Sequence, residues 1–391
     1  MGSITTSIHT TINTINRDDW NDCIYTNEGD DDPFLTYEFF KLLETSGSIG
    51  RGSGWQPFYI LFLKNDIVMG IVPGFLKSHS QGEYVFDHSW ADAFQRAGGN
   101  YYPKLQVAVP FTPVTGERIL IRRGYKENNL SEIFSLIKDI IINNRISSLH
   151  VTFCKNNFSK AAQKADLLTR EGIQYHWHNK KYSSFSDFLN KLSSRKRKNI
   201  LKERRQANSF GGKIYQYTGK DITSQQLEAF WHFYQNTGNR KWGIPYLTKQ
   251  FFILLKGVMS EKTLLVLAEK DGEYVAGALN FIGGNALYGR YWGCKDYYPS
   301  MHFEICYYQA IEFAIENKLA RVEAGAQGDH KIARGYLPVT TYSSHWFSHD
   351  GFLKAVGNFL EEEKNLMKIH EKELQFISPF KKGENINEKK I

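Results

Sequence analysis

TLLVLAEKDGEYVAGALNFI, residues 263–282, is the stretch that decides the fold of this chain. Two runs of apolar and β-branched residues flank a turn at Lys270, Asp271 and Gly272, which is the pattern of a β-hairpin. The same pattern occurs at residues 58–77, FYILFLKNDIVMGIVPGFLK, with its turn at Asn65 and Asp66. Two matching hairpins so far apart in the chain predict two domains built on one design.

Each hairpin is followed by a similar series of elements. After the first, the hydrophobic periodicity predicts a strand, a helix, a strand, a helix and a strand, at 83–86, 130–143, 149–153, 158–171 and 173–178. After the second, it predicts a strand, a helix, a strand, a polar loop and a strand, the four regular elements lying at 286–292, 301–317, 321–324 and 342–347. An insert at 101–122, which contains Pro103, Pro110 and Pro113, is expected to be irregular. The fold class is therefore α/β (α+β), with a mixed sheet flanked by helices in each half.

The second half opens with elements of its own. A basic helical segment beginning near residue 182 precedes a strand at 213–217 and helices at 224–235 and 248–259. We therefore predict a first domain at 1–181 and a second domain at 182–380, and a polar, disordered tail at 381–391.

Length and composition are those of a globular protein with two domains. The chain has 391 residues, of which 41% are hydrophobic and 23% charged, and this length suits two to three domains of ordinary size. No apolar run reaches the ~20 residues that span a bilayer, and the first residues lack a signal-peptide pattern, so we expect a cytoplasmic protein. Contact with a membrane surface stays open, as does the oligomeric state. The four cysteines lie far apart, so no metal site is predicted.

The net charge of +8 is concentrated in one segment. Residues 180–205 contain ten lysines and arginines against two acids, and such a concentration indicates an anion-binding surface, although a solvated helix face is the ordinary explanation. The candidates for binding phosphate or RNA are Arg195, Lys196, Arg197, Lys198, Lys202, Arg204 and Arg205.

The second polar signal is RVEAGAQGDHKIARGY, residues 321–336. A short buried strand ends there in a loop that carries Asp329, His330, Lys331 and Arg334. Open α/β sheets place their chemistry at the carboxyl ends of strands, which makes this loop the first candidate site. A surface turn would explain the composition equally well. If the loop lies at the surface, truncating Lys331 costs little stability.

The order hairpin, strand, helix, strand, helix, strand resembles the acetyltransferase fold called GNAT, and its tandem use resembles the Fem-type aminoacyltransferases of peptidoglycan synthesis. From about residue 20 to 380 the chain is similar to the bacterial Fem-like (FemAB-type) N-acyltransferases of the peptidoglycan biosynthesis or recognition group. The motifs that carry the resemblance are FDHSWADA at 86–93, YYPKLQ at 101–106, PFTPVTG at 110–116, SRKRKN at 194–199, YGRYWGC at 288–294, HFE at 302–304 and EAGAQGDHKIARGY at 323–336.

The resemblance assigns a role to Lys331. In Fem-type enzymes a Lys-x-x-x-Gly pattern after the penultimate strand contributes an active-site lysine, and KIARG at 331–335 matches it. Its positive charge would stabilise the oxyanion of acyl transfer, with Arg334 beside it. His330 and Glu304 are the candidates for proton transfer, although a salt bridge, a cap or a helix dipole would also explain these side chains.

Further residues are candidates for binding. Asp87 and His88, at the end of a predicted strand in the first half, are expected to line the acceptor side, although a structural Asp–His pair would explain them equally well. Tyr291 and Trp292 could stack on a base or sugar, and Arg290 and Lys295 could contact phosphates. The segment 290–295 matches the pyrophosphate loop of GNAT proteins only in part, which weakens an assignment to acetyl-CoA.

The sequence therefore predicts an N-acyltransferase that uses an amine acceptor, such as a peptidoglycan precursor. The donor is aminoacyl-tRNA or acyl-CoA, and no permanently bound cofactor is expected. Two alternatives remain: an acyl-CoA-dependent N-acetyltransferase, or a non-catalytic protein that binds a peptidoglycan precursor or a nucleic acid.

Overall fold

The computed structural model describes residues 4–24, 31–125, 130–240, 245–326 and 328–381. Its packing divides the chain into two units. Unit 1 comprises Met1–Gly172, Tyr246–Phe251 and Thr340–Ile369, and unit 2 comprises Ile173–Pro245, Phe252–Val339 and His370–Ile391. The predicted domains, 1–181 and 182–380, were defined by the repeated order of elements along the chain. The two units are defined by packing, so they do not test that division. The predicted tail, 381–391, lies outside the described residues except for Lys381.

The strands are β1 (Thr5–His9), β2 (Trp55–Pro57), β3 (Tyr59–Lys64), β4 (Ile67–Val72), β5 (Gly74–Lys77), β6 (Lys104–Val107), β7 (Leu120–Ile121), β8 (Ser148–Cys154), β9 (Leu168–His178), β10 (Lys213–Thr218), β11 (Thr263–Lys270), β12 (Glu273–Ile282), β13 (Ala286–Cys294), β14 (Arg321–Glu323) and β15 (Leu337–Phe347). The helices are α1 (Arg17–Ile24), α2 (Tyr37–Thr45), α3 (His88–Arg96), α4 (Leu130–Asn143), α5 (Asn156–Lys164), α6 (Phe185–Lys191), α7 (Ser194–Asn208), α8 (Ser224–Arg240), α9 (Lys249–Met259), α10 (Met301–Phe303), α11 (Gln309–Glu316) and α12 (Asp350–Phe376). A π-helical turn, Glu304–Tyr308, joins α10 to α11.

Both predicted hairpins form, but the second strand of the first hairpin, predicted at 67–77, is divided at Pro73 into β4 and β5, which lie in different sheets. The strands that follow the two hairpins are arranged in the same order. In unit 1 the strands run β15-β8-β6-β5-β2, with β6 parallel to β8 and β15 antiparallel to it. In unit 2 they run β10-β11-β12-β13-β14-β9, with β13 parallel to β14 and β9 antiparallel to it. A further sheet of unit 1 has the order β1-β3-β4-β7. The strands predicted at 149–153 and 321–324 thus hold equivalent positions, and the fold class of two tandem GNAT-like halves is confirmed.

One strand of each unit's sheet comes from the other half of the sequence. The residues of β9 that pair with β14 lie at the end of the first half, yet they belong to unit 2. The residues of β15 that pair with β8 lie in the second half, yet they belong to unit 1. Each half of the sequence therefore supplies one strand to the other half's sheet.

Apolar residues at helical spacing bury one face of each central helix. On α4, Ile133, Phe134, Ile137 and Ile141 are buried in the core that includes β8. On α11, Ile311 and Ala314 belong to a core with Val322 of β14. Each fully buried side chain of this kind stabilises the fold by about 2 kcal/mol relative to exposure, so these faces fix the helices on the sheets.

The first half departs from the prediction in three places. The helix predicted at 158–171 ends at Lys164, because Ala165 caps it and Asp166 has a left-handed φ of 59°. The strand predicted at 83–86 does not form, and α3 follows directly. The insert predicted to be irregular contains β6, which lies inside the sheet. Pro103 allows this because it precedes the strand and no ladder hydrogen bond is lost.

Within the described residues, the helices are too short or too polar to span a bilayer.

Candidate active site

The parallel strands of unit 2 separate where the polar loop begins. β13 and β14 pair at Ala286 with Arg321, Leu287 with Val322, and Tyr288 with Glu323. Beyond these pairs β13 continues to Cys294, whereas the chain after Glu323 turns into the loop. An irregularity between Leu279 and Asn280 of β12 accompanies the separation. The carboxyl end of a parallel pair is therefore open here, which is where α/β sheets bind ligands.

Two glycines bound the helical part of the loop. Gly328 and Gly335 have φ values of 112° and 94°, and between them Asp329–Arg334 forms a 3-10 turn. A Cβ at Gly335 would lie 2.7 Å from the ring of Phe188, so both the backbone conformation and the close packing require glycine there. The loop is thus fixed by its ends.

Lys331 lies inside the protein. Its side chain is 3% exposed, and its ammonium donates a hydrogen bond to the backbone carbonyl of Gly325 at 3.0 Å. Burial lowers the pKa of Lys331 to about 8. Within the described residues no carboxylate forms an ion pair with it. The expectation that Lys331 lies at the surface is therefore wrong: the polar loop folds inward, and its lysine carries a buried charge.

Arg334 anchors the loop. Its guanidinium donates to both carboxylate oxygens of Glu203 on α7, at 2.7 and 3.2 Å, and to the carbonyl of His330 at 2.7 Å. It also lies 3.4 Å from the ring centre of Phe303. Tyr308 donates a short hydrogen bond to the same carboxylate. Arg334 is consequently held in one orientation, and its partners explain its burial without a ligand.

His330 lies at the exposed end of an aromatic cluster. Its Nε2 is 3.0 Å from the hydroxyl of Tyr307, and its ring centre is 6.0 Å from Phe303 and 6.4 Å from His302. Burial, followed by the charges of Arg334 and Lys331, lowers the pKa of His330. A neutral imidazole at this position is suited to accept a proton.

Glu304 is enclosed by hydrogen bonds. It is fully buried, and both of its oxygens accept from Arg204, at 2.8 and 3.0 Å, while Gln309 donates to one of them at 2.8 Å. Arg204 also binds Glu312 at 2.7 Å. This arrangement favours a structural role for Glu304. Arg204, a predicted phosphate ligand, is occupied by Glu304 and Glu312 instead.

The candidate binding residues on and after β13 lie in different surroundings, and Trp292 is the one that contacts the aromatic cluster. The ring of Trp292 lies 5.0 Å from that of His302, which brings it to the aromatic cluster beside the loop. Tyr291 packs against Tyr234 at 5.1 Å, and the guanidinium of Arg290 lies 5.2 Å from the ring of Tyr291. Lys295 is exposed and pairs with Glu273 at 2.9 Å.

The basic helix α7 has two different faces. Arg195, Lys198, Lys202 and Arg205 are exposed, and their spacing of three, seven and ten residues places them on one face. The rise per residue makes this stripe of charge about 15 Å long. Lys196 and Arg197 are half-buried, and Arg197 donates to Asn190 at 3.2 Å. Four of the seven predicted cations therefore form the exposed basic stripe.

Asp87 and His88 belong to unit 1. Asp87 immediately precedes α3, and no strand leads into it, contrary to the prediction. It is 2% exposed and accepts from Lys104 at 2.5 Å and from Tyr101 at 2.7 Å. Burial would raise the pKa of Asp87, but the Lys104 ammonium and His150 hold it below its usual range. His88 is exposed at the start of the helix.

Several polar residues of the site were missed from the sequence. Glu203 is one of only two acids in the basic segment 180–205. An acid in such surroundings could have been predicted to pair with an arginine. Glu323 was quoted only as part of a motif, although it is 4% exposed at the end of β14. His176 faces it from β9, and nothing local marked His176 as a site residue.

Solved structures share this fold. FemX matches with 11% identity and a TM-score of 0.55, over 90% of this chain and 100% of its own. L-PGS from Bacillus licheniformis matches with 10% identity and a TM-score of 0.50, over 86% and 99%. A conserved protein of unknown function from Bacteroides thetaiotaomicron matches with 11% identity and a TM-score of 0.52, over 87% and 99%. At these identities the likeness is one of fold.

The family model is more specific than the structures. The model of the FemAB-like family, described as peptidoglycan biosynthesis/recognition, matches residues 11–382. The chain therefore belongs to the FemAB-like family, as the sequence motifs indicated. No curated protein matches the chain.

Proposed function

We propose that the protein is an N-acyltransferase that moves an aminoacyl or acyl group onto an amine of peptidoglycan or one of its precursors. The observation that carries this proposal is the buried ammonium of Lys331. Burying a charge without a counter-charge is costly, and such groups concentrate where proteins act on a ligand. A cation at the opening between β13 and β14 is suited to a substrate whose reaction develops negative charge.

The proposed chemistry follows from the protonation state of Lys331. With a pKa of about 8, the side chain is mostly an ammonium at neutral pH. When an amine attacks the acyl carbon, the carbonyl oxygen becomes an oxyanion, which the ammonium stabilises. The leaving group then takes up a proton as its bond to carbon breaks. Arg334 holds the loop, and His330 is placed to exchange protons near the surface.

Two donors fit different parts of unit 2. The exposed basic stripe of α7, formed by Arg195, Lys198, Lys202 and Arg205, suits the phosphates of aminoacyl-tRNA. The opening between β13 and β14 suits the extended arm of an acyl thioester, and Arg290 lies on β13 two residues beyond the last pair of these strands. The stripe presents more positive charge than one pyrophosphate requires, so we favour aminoacyl-tRNA.

A second candidate function is non-catalytic binding of a peptidoglycan precursor. Glu304 and Arg334 favour it, because both are saturated by protein partners and neither is available for chemistry. In that case Lys331 would bind an anionic group of the ligand and no bond would form.

A transfer assay tests the proposal. The protein is incubated with a nucleotide-linked peptidoglycan precursor that bears a free amine and with either acetyl-CoA or a mixture of aminoacyl-tRNAs, and the precursor is analysed by mass spectrometry. A gain of one acyl or aminoacyl mass is expected. An unchanged precursor with both donors, together with measurable binding of the precursor, would favour the non-catalytic candidate.

A further inference from the structure

Three polar side chains lie side by side at the opening of the unit 2 sheet. Tyr288, Glu323 and His176 belong to β13, β14 and β9 and are paired in register. Residues paired in register point to the same face of a sheet. Their neighbours Leu287, Val322 and Trp177 point to the opposite face and join the core with α11. A row of three polar, buried side chains thus occupies the face away from α11.

The carboxylate of Glu323 is satisfied on one oxygen only. Its Oε1 accepts from Arg321 at 2.8 Å. Its Oε2 is buried, and none of the residues that the structure describes gives it a hydrogen bond. Arg321 forms an ion pair with this carboxylate through Oε1. The ring of His176 lies on the side of Oε2, and its Nε2 is 3.7 Å from that oxygen, beyond hydrogen-bond distance, and 3.2 Å from Oε1 of Gln174. Burial lowers the pKa of His176 to about 4, so this ring is neutral at pH 7.

An unpaired buried carboxylate oxygen requires a donor. Leaving such an acceptor unsatisfied costs about 1–3 kcal/mol, and more for a charged group. The missing donor must supply an N–H or O–H to Oε2, since Arg321 occupies Oε1. The position of Glu323, last in β14 and two residues before the carbonyl that holds Lys331, places this acceptor beside the proposed reaction.

We propose that Oε2 of Glu323 binds the ammonium of the acceptor and takes its proton, which makes Glu323 the catalytic base of the acyl transfer. This inference rests on the proposed function. Of the three ammonium protons, one passes to Glu323 before attack and then to solvent. The amine nitrogen bonds to the acyl carbon, a second proton passes from the nitrogen to the leaving group, and the bond between the leaving group and the acyl carbon breaks. The third proton stays in the amide.

Binding is tested without catalysis. The protein is labelled with carboxyl-¹³C glutamate and titrated at pH 7 with ethylamine hydrochloride, and with ethanol as a neutral control. The signal of Glu323, assigned by its loss in Glu323→Gln, is expected to shift saturably with ethylamine and not with ethanol. A signal that does not move, or that moves no more than that of the exposed Glu316, would overturn the proposal.

Catalysis supplies an independent measurement. Glu323→Gln should lower kcat/KM for the amine by about 10²–10⁴, the usual contribution of a general base. Glu316→Gln, an exposed change at the end of α11, should leave kcat/KM unchanged. If Glu323→Gln does not fold, Glu323→Asp, which withdraws the oxygen and keeps the charge, replaces it and should also lower kcat/KM.

The two proposals fail in different ways. Full transfer activity in a folded Glu323→Gln would refute the base and leave the acyltransferase intact. A saturable ethylamine shift at Glu323 in a protein that transfers no acyl group would refute the acyltransferase and leave the amine site intact.

Discussion

Glu203 of α7 accepts two hydrogen bonds from Arg334 of the polar loop, at 2.7 and 3.2 Å. The pair connects the basic helix to the turn that carries Lys331. A substitution on α7 can therefore change the loop without touching it.

Glu203→Ala should destabilise the protein and reduce transfer. The pair is partly buried, so its loss should cost between the ~0.5 kcal/mol of an exposed ion pair and the ~3 kcal/mol of a buried one. Thermal denaturation measures the stability, and the transfer assay measures the activity. Glu316→Ala is the control and should change neither. Transfer at the full rate in Glu203→Ala would show that the anchor is not needed.

Lys331→Met should stabilise the fold while it lowers the rate of transfer by at least about 10²-fold. Because burial lowers the pKa of Lys331 to about 8, the unfolded chain binds this proton more tightly, and the folded state pays a penalty below pH 8. The difference from the ordinary value of 10.5 corresponds to about 3 kcal/mol as an upper limit.

The pH dependence of this gain has a fixed sign. Stability of the unsubstituted protein should rise relative to Lys331→Met from pH 8 to about 10.5, where the penalty disappears. Chemical denaturation at pH 7 and pH 10 measures the difference. A variant less stable than the parent at pH 7 would show that the ammonium is compensated.

Glu304→Gln tests whether Glu304 is a structural carboxylate or a catalytic base. We expect the free energy of unfolding to fall by about 3 kcal/mol, because the substitution breaks a buried bidentate pair with Arg204. The pH profile of the remaining transfer activity should keep its shape. A selective loss of the acidic limb, with the melting temperature unchanged, would instead support Glu304 as the base.

Salt dependence distinguishes the two donors. Four phosphate contacts by the exposed basic stripe would give a slope of log affinity against log salt near −3, at about −0.7 per contact for single strands. Replacing Arg195, Lys198, Lys202 and Arg205 by Gln should reduce the slope toward zero. The control variant, in which Gln replaces four exposed lysines outside α7, loses the same charge and should keep the slope. These lysines are Lys160, Lys256, Lys318 and Lys354. tRNA that fails to bind at low salt would exclude it as donor.

Much of the fold was predictable because it depends on local periodicity. Apolar residues alternate or repeat at regular spacing in the hairpins, α4 and β8, and these elements form where they were predicted. The strand β6 was missed because four residues between prolines carry too little pattern. The exchange of β9 and β15 was also invisible, since pairing between distant strands leaves no local mark.

The site was less predictable than the fold. The polar composition of the loop and the basic composition of the helix could be read from the sequence. Which of their side chains are buried could not, as Lys331 shows. Arg204 and Glu304 are 100 residues apart in the chain, so their pairing depends on tertiary packing. What distinguishes Glu323 is a buried oxygen that receives no hydrogen bond from the described residues, and that property depends on tertiary packing.

Single-turnover transfer by the parent protein and by Lys331→Met at pH 7, with donor and precursor both saturating, tests the role of the buried ammonium most directly. We expect transfer by the parent and a loss of at least about 10²-fold in the variant, the usual effect of removing an oxyanion-stabilising group. Equal rates in the two folded proteins would refute that role.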